Sequence, residues 1–154
     1  MDPAALAALR ERDVTRTVAF TVEPDQTTTV FGEQSDPPGL PAATDVALGE
    51  SVRVLGTPHM LARFEFCARE SLRGSLPAGA GVVGESMSVE HRRGVPVGAE
   101  VAVRTELAAV DPPTLSFDCR ATSDGRGVGT ATVTLRAVER DAFQASVDGG
   151  FENE

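Results

Sequence analysis

From residue 82 onward, apolar and polar side chains alternate with a period of two, the pattern of strands that bury one face. Val83, Met87, Val89 and His91 share a face over 82–91, and Val101, Val103 and Leu107 share one over 100–110. Leu115, Phe117, Cys119 and Ala121 do so over 115–121, and Ala131, Val133, Leu135 and Ala137 over 128–139, after a turn marked by Asp124-Gly125. The four segments predict an antiparallel meander. Upstream, Gly56-Thr57-Pro58 predicts a helix start, with Thr57 as the N-cap and Pro58 in the first turn. Leu61, Phe64, Ala68 and Leu72 then form one buried stripe, and the helix is expected over 58–75, ending before Pro77. Residues 15–22 (TRTVAFTV) are rich in β-branched residues and predict a first strand. Between strand and helix, 32–53 holds three prolines and several turn signals, too long for an ordinary connector and of the kind that forms lids.

One long helix and one antiparallel sheet make an α+β architecture in which the sheet wraps the helix, the hot-dog arrangement. The domain is expected over 15–143. It is flanked by an N-terminal extension over 1–14, with Leu6 and Leu9 on a short accessory helix, and by a frayed tail over 144–154. A single unit of this kind leaves an open sheet edge, so a homodimer is expected.

Composition narrows the partners. The chain has 154 residues, 41% of them hydrophobic, which suits one folded domain. Its 14 basic residues against 23 acidic ones leave a net charge of −9, which disfavours a nucleic-acid partner held through phosphates. All the basic residues are arginine, which fits either a proteome adapted to high salt or a GC-rich genome. No run of about 18 apolar residues exists to span a membrane, and the start, MDPAALAALRERD, lacks the features of a secretory signal. A cytoplasmic protein with no membrane partner is expected. Cys67 and Cys119 stand alone, without metal-ligand or disulfide spacing, and are expected as reduced core residues.

Four positions carry candidate chemistry. Glu65 lies between Leu61 and Ala68 on the stripe, where an ionised carboxylate needs compensation, unless the helix is rotated to expose it or Arg69 pairs with it at i+4. His91 ends a strand and points inward or toward an interface, where an imidazole can move protons near neutral pH or simply hydrogen-bond. Thr57 sits at a helix N-terminus, whose free N–H groups and positive dipole end can stabilise an oxyanion. Gly84, inside a strand, marks a bulge or a close approach. His59 in the first helical turn reads as a capping or surface residue. Arg92-Arg93 reads as a solvated strand end, or as a contact for phosphates at a pocket mouth. GxSxG, HExxH, Walker and GxGxxG motifs are absent.

Together, LGTPHMLARFEFCARESL and VVGESMSVEHRRGVPVG resemble the fluoroacetyl-CoA thioesterase-like family of hot-dog proteins, over residues 45–143. Thr57, Glu65, Gly84 and His91 match that family position by position. The resemblance implies hydrolysis of a small acyl-CoA thioester with no metal or redox cofactor. It gives Thr57 and Glu65 the attacking group or water, His91 the proton transfers, and the Gly84 backbone a place against the thioester. The hydrolase reading rests on Glu65 lying in the hollow beside the imidazole of His91, from its own chain or a neighbouring protomer. Two departures stand out. TDVALGESVR at 44–53 has no aromatic residue, which argues against fluoroacetyl-CoA as substrate. Val133 and Leu135 replace the His and Arg usual in the last strand, with an expected effect on the dimer surface or the CoA cleft. The alternatives are a non-catalytic acyl-CoA-binding or regulatory module and a hot-dog hydratase, although the DxNPxH-like segment of the latter is missing.

Overall fold

A computed structural model describes residues 1–40 and 52–149 of the chain. Among these residues, three α-helices, α1 (Pro3–Ala7), α2 (Thr57–Ser71) and α3 (Arg140–Gly149), accompany seven strands. These are β1 (Thr15–Thr21), β2 (Thr27–Thr29), β3 (Arg53–Leu55), β4 (Ala80–His91), β5 (Glu100–Asp111), β6 (Thr114–Ser123) and β7 (Arg126–Glu139). Five of them form one antiparallel sheet in the order β1-β5-β6-β7-β4, and β2 pairs with β3 apart from it. Half of the expected lid, 41–51, lies outside the described residues.

The β6–β7 hairpin turns at Asp124 (φ 49°) and Gly125 (φ 70°), the pair of positive φ values that a two-residue turn needs to match strand twist. The meander holds for β5, β6 and β7. β4 departs from it, running along the outer side of β7 instead of beside β5. The reason is competition: β1 pairs with β5 from Thr15↔Glu106 to Thr21↔Glu100 and takes the edge β4 would need.

The sheet wraps α2, which buries Met60, Phe64, Cys67 and Ala68, with Leu72 at its C-cap, against Val101, Val103, Leu115, Phe117, Val133 and Leu135. The stripe is thus centred on Met60, Phe64 and Cys67, with Leu61 only half-buried. That rotation moves Glu65 from the middle of the stripe to its flank. Val133 and Leu135 are fully buried, so they fill the core instead of lining a cleft. The helix also ends sooner than its stripe suggested, in a turn that passes through Gly74 at φ 75°.

Both ends of the chain are more structured than their composition suggested. Leu6 and Leu9 are each 1% exposed within the core, and the Arg10 guanidinium donates to the Val110 carbonyl (Nε, 2.8 Å), so the N-terminal segment closes one end of the domain. Residues 144–149 continue α3 instead of fraying, while 150–154 lie outside the described residues. The Glu139 carboxylate accepts the N–H groups of Ala142 (2.9 Å) and Asp141 (3.2 Å), which caps α3 and holds the carboxyl below its usual range. Both cysteines are free and buried. Burial, then the neighbouring Cys67 and Asp118, push the Cys119 thiol up to about 12, well above the range of reactive thiols.

Candidate active site

α2 is capped by the Gly56 backbone, and Thr57 is its first residue. The threonine hydroxyl is therefore not spent on the helix. It lies 2.8 Å from His91 Nδ1, at the end of β4. The other ring nitrogen, Nε2, is 2.9 Å from the Arg93 carbonyl oxygen. A carbonyl only accepts, so Nε2 carries a proton, and in the neutral ring Nδ1 accepts from the Thr57 hydroxyl. One histidine tautomer is thus selected, with its free lone pair on the threonine. The geometry is that of a hydroxyl beside its base, with a backbone oxygen holding the far side of the ring. The first turn of α2 brings its positive dipole end to the same place.

Glu65 occupies a second point. Its side chain is 27% exposed, 3.8 Å from Arg69 Nη1, and it lies over Gly84. A Cβ built on Gly84 would meet Glu65 Oε1 at 3.0 Å, Cδ at 3.1 Å and Oε2 at 3.3 Å. Only the absence of a side chain lets the carboxylate rest against this strand. A bulge makes the arrangement possible. The β4–β7 register slips between Gly84 and Ser86, so Gly84↔Leu135, Met87↔Val133, Val89↔Ala131 and His91↔Gly129 all face α2, while Val83↔Arg136 faces outward. The simple alternation that grouped Val83 with Met87 fails at Glu85, the extra residue.

Within one chain these two points do not meet. Thr57 and Glu65 are eight residues apart on one helix, a rise of about 12 Å, and Gly84 and His91 are about 20 Å apart along β4. The chain therefore holds two half-sites, Thr57 with His91 and Glu65 with Gly84. His59 belongs to neither. Arg63 Nε donates to its Nε2 (3.0 Å), the Phe20 ring meets it edge-on at 5.7 Å, and burial followed by the Arg63 charge lowers its pKa. Arg92 pairs with Glu90, and Arg93 Nε donates to the Gly127 carbonyl (3.4 Å). Sequence alone identified the four candidate positions. It read Arg93 as a strand end or a phosphate contact and missed that its carbonyl holds the imidazole, because a backbone acceptor leaves no mark on residue type.

No group of three or more His, Cys, Asp or Glu side chains suited to a metal occurs among the described residues, and none of their helices is long and apolar enough to cross a membrane.

Comparison with known proteins fits this geometry. The fluoroacetyl-CoA-specific thioesterase family model matches residues 41–141, about two-thirds of the chain. No curated protein sequence matches. The structure of the fluoroacetyl-CoA thioesterase FlK superposes with a TM-score of 0.70 at 25% identity, over 87% of this chain and 92% of that one. A hot-dog-like protein from Thermanaerovibrio acidaminovorans (TM-score 0.72, 17% identity, 91% and 92% covered) shares the fold. So does a thioesterase superfamily member from Thermus thermophilus (0.70, 16%, 91% and 94%). With the sheet wrapped on α2 and the family match spanning both half-sites, the chain belongs to the fluoroacetyl-CoA-specific thioesterase family of hot-dog hydrolases.

Proposed function

We propose that the protein hydrolyses a small acyl-CoA thioester to the free acid and CoA, in sites assembled between two protomers. The observation that carries this is the separation of the half-sites along β4. β4 is an edge strand with Gly84 to Ser88 exposed, an open template for a second strand. If β4 pairs antiparallel with its symmetry copy about a centre between Met87 and Ser88, Gly84 falls opposite the partner's His91. Each Glu65 carboxylate then faces the other chain's Thr57–His91 pair, and two identical sites arise. Glu65 activates the attacking group, either as the nucleophile or by deprotonating water. The free N–H groups of the first turn of α2 stabilise the developing oxyanion; Thr57, whose O–H donates to His91 Nδ1, accepts from the attacking water, and His91 relays the proton that Glu65 takes from that water to the departing thiolate. These roles call on no metal or redox group. FlK has been solved with acetyl-CoA, and with fluoroacetate and CoA, which supports a CoA thioester as the substrate class. The lack of aromatic residues at 44–53 favours a small acyl group other than fluoroacetyl.

A mixing experiment tests the assembly. Glu65→Gln and His91→Asn are each expected to be inactive as homodimers. After subunit exchange, a heterodimer recovers one intact site, so the mixture should regain roughly a quarter of wild-type thiol release. A mixture that stays inactive would place both half-sites in one chain's own centre. Tight binding of acyl-CoA by the wild type without any turnover would instead identify a silent binding module.

Thr57 can be tested separately. Thr57→Ser keeps the hydroxyl and should retain most of the turnover, whereas the isosteric Thr57→Val should lose about 10²-fold in kcat. Because Gly56 caps the helix, circular dichroism of both variants should match the wild type.

A further inference from the structure

The outer face of the sheet, turned away from α2, carries two rows of charge. Along one row Glu106 on β5 stands directly opposite Asp118 on β6, which is followed by Thr132 and Ser88. Two residues along the strands, Arg104 stands opposite Arg120, followed by Thr130 and Glu90. Like charges placed directly across neighbouring strands repel. Within the chain the repulsion is only partly offset. Arg104 leans on Glu106 at 3.6 Å, while Asp118 and Arg120 have no ion-pair partner among the described residues. These same residues line a hollow of about 510 Å³, and none of Thr57, Glu65, Gly84 or His91 lines it.

We propose that this face docks a second copy of the chain, back to back, so that each arginine pair meets the acidic pair of the other copy. The symmetry follows from the layout. A two-fold axis running across the strands, between the two rows, carries one row onto the other. Arg104 and Arg120 of one copy then stand over Glu106 and Asp118 of its mate, and the reverse, giving four cross-face ion pairs from a single patch. Stacked sheets lie about 10 Å apart, a gap that an arginine and a carboxylate side chain bridge between them. The balance of charge favours the same partner. In a chain of net charge −9, the two arginines and three acids around the hollow sum to −1, so this face approaches its own copy with little net repulsion. Five strands about 4.8 Å apart and some 35 Å long present an area near the 800 Å² per partner of a standard interface. The contact is separate from the β4 edge and from the hydrolytic site.

Charge reversal tests it. Sedimentation at moderate salt should show the wild type at twice the mass of Arg104→Glu/Arg120→Glu and of Glu106→Arg/Asp118→Arg. An equal mixture of the two reversed variants should return to the doubled mass, because every facing pair is then again of opposite sign. Arg120→Gln and Asp118→Asn, both at exposed strand positions, are a milder pair for the case in which a reversed variant does not fold. Each should raise the dissociation constant at least tenfold, and molar salt should do the same to the wild type. Identical masses for wild type and all variants would overturn the proposal, as would reversed variants that stay apart on mixing. A hollow that takes a small zwitterion instead of a second chain would give that same unchanged mass.

Discussion

Replacing Glu65 by Gln is expected to lower kcat for acyl-CoA hydrolysis by about 10³- to 10⁴-fold while leaving the fold intact. Glutamine has the shape of the glutamate but can neither attack a thioester nor take a proton from water, so both routes of the proposed chemistry stop at this substitution. Little stability depends on the charge. The Arg69 pair is 3.8 Å long and partly exposed, and such pairs contribute roughly 0–1 kcal/mol. The melting temperature should therefore move by only a few degrees. Steady-state release of free thiol from a panel of short acyl-CoAs, with a thermal melt alongside, checks both halves. Full turnover by Glu65→Gln would leave the Thr57–His91 pair as the working centre and remove the carboxylate from the mechanism.

The position of Glu65 shows what residue spacing can convey and what it cannot. An acidic residue near an apolar helical stripe was legible from the sequence, and so was a glycine inside a strand. Their contact was not, because it depends on the bulge at Glu85, which changes which residues of β4 face the helix. The helix entrance behaves similarly. Thr before Pro marks the start of α2 within one residue, yet the cap is the Gly56 backbone, and the hydroxyl is left for His91. Local signals of fixed geometry were readable, as at Asp124-Gly125, where the turn demands positive φ. Features set by competition between distant segments were not. The placement of β4 beyond β7 depends on β1 taking the other edge, and burial of Leu6 and Leu9 depends on an opening in the core that only the assembled sheet provides. α3 escaped notice because its composition is polar and its start is set by the Glu139 carboxylate.

Gly129→Ala is expected to damage both stability and turnover. Gly129 pairs with His91 across β4 and β7. A Cβ there would lie 2.6 Å from the Glu90 carbonyl oxygen and 2.8 Å from Met60 Cε. The methionine can turn away, since its side chain is flexible. The carbonyl cannot, because it belongs to the backbone of the paired strand, and relief requires the end of β4 to move off β7. Overpacking of this kind costs about 1–3 kcal/mol, and for a chain of this length about 3 kcal/mol lowers the melting temperature by roughly 6–12 °C. The same shift carries His91 away from Thr57, whose hydrogen bond of 2.8 Å tolerates little displacement. Turnover should fall together with stability, with kcat reduced even at temperatures where the variant is fully folded. Gly127→Ala is the matched control: two residues along the same strand, its Cβ would meet nothing within 4 Å, and both stability and kcat should stay near wild type. If the two variants melted and turned over alike, His91 would not depend on the close approach of β4 to Gly129, and the orientation of its ring would have to be held elsewhere.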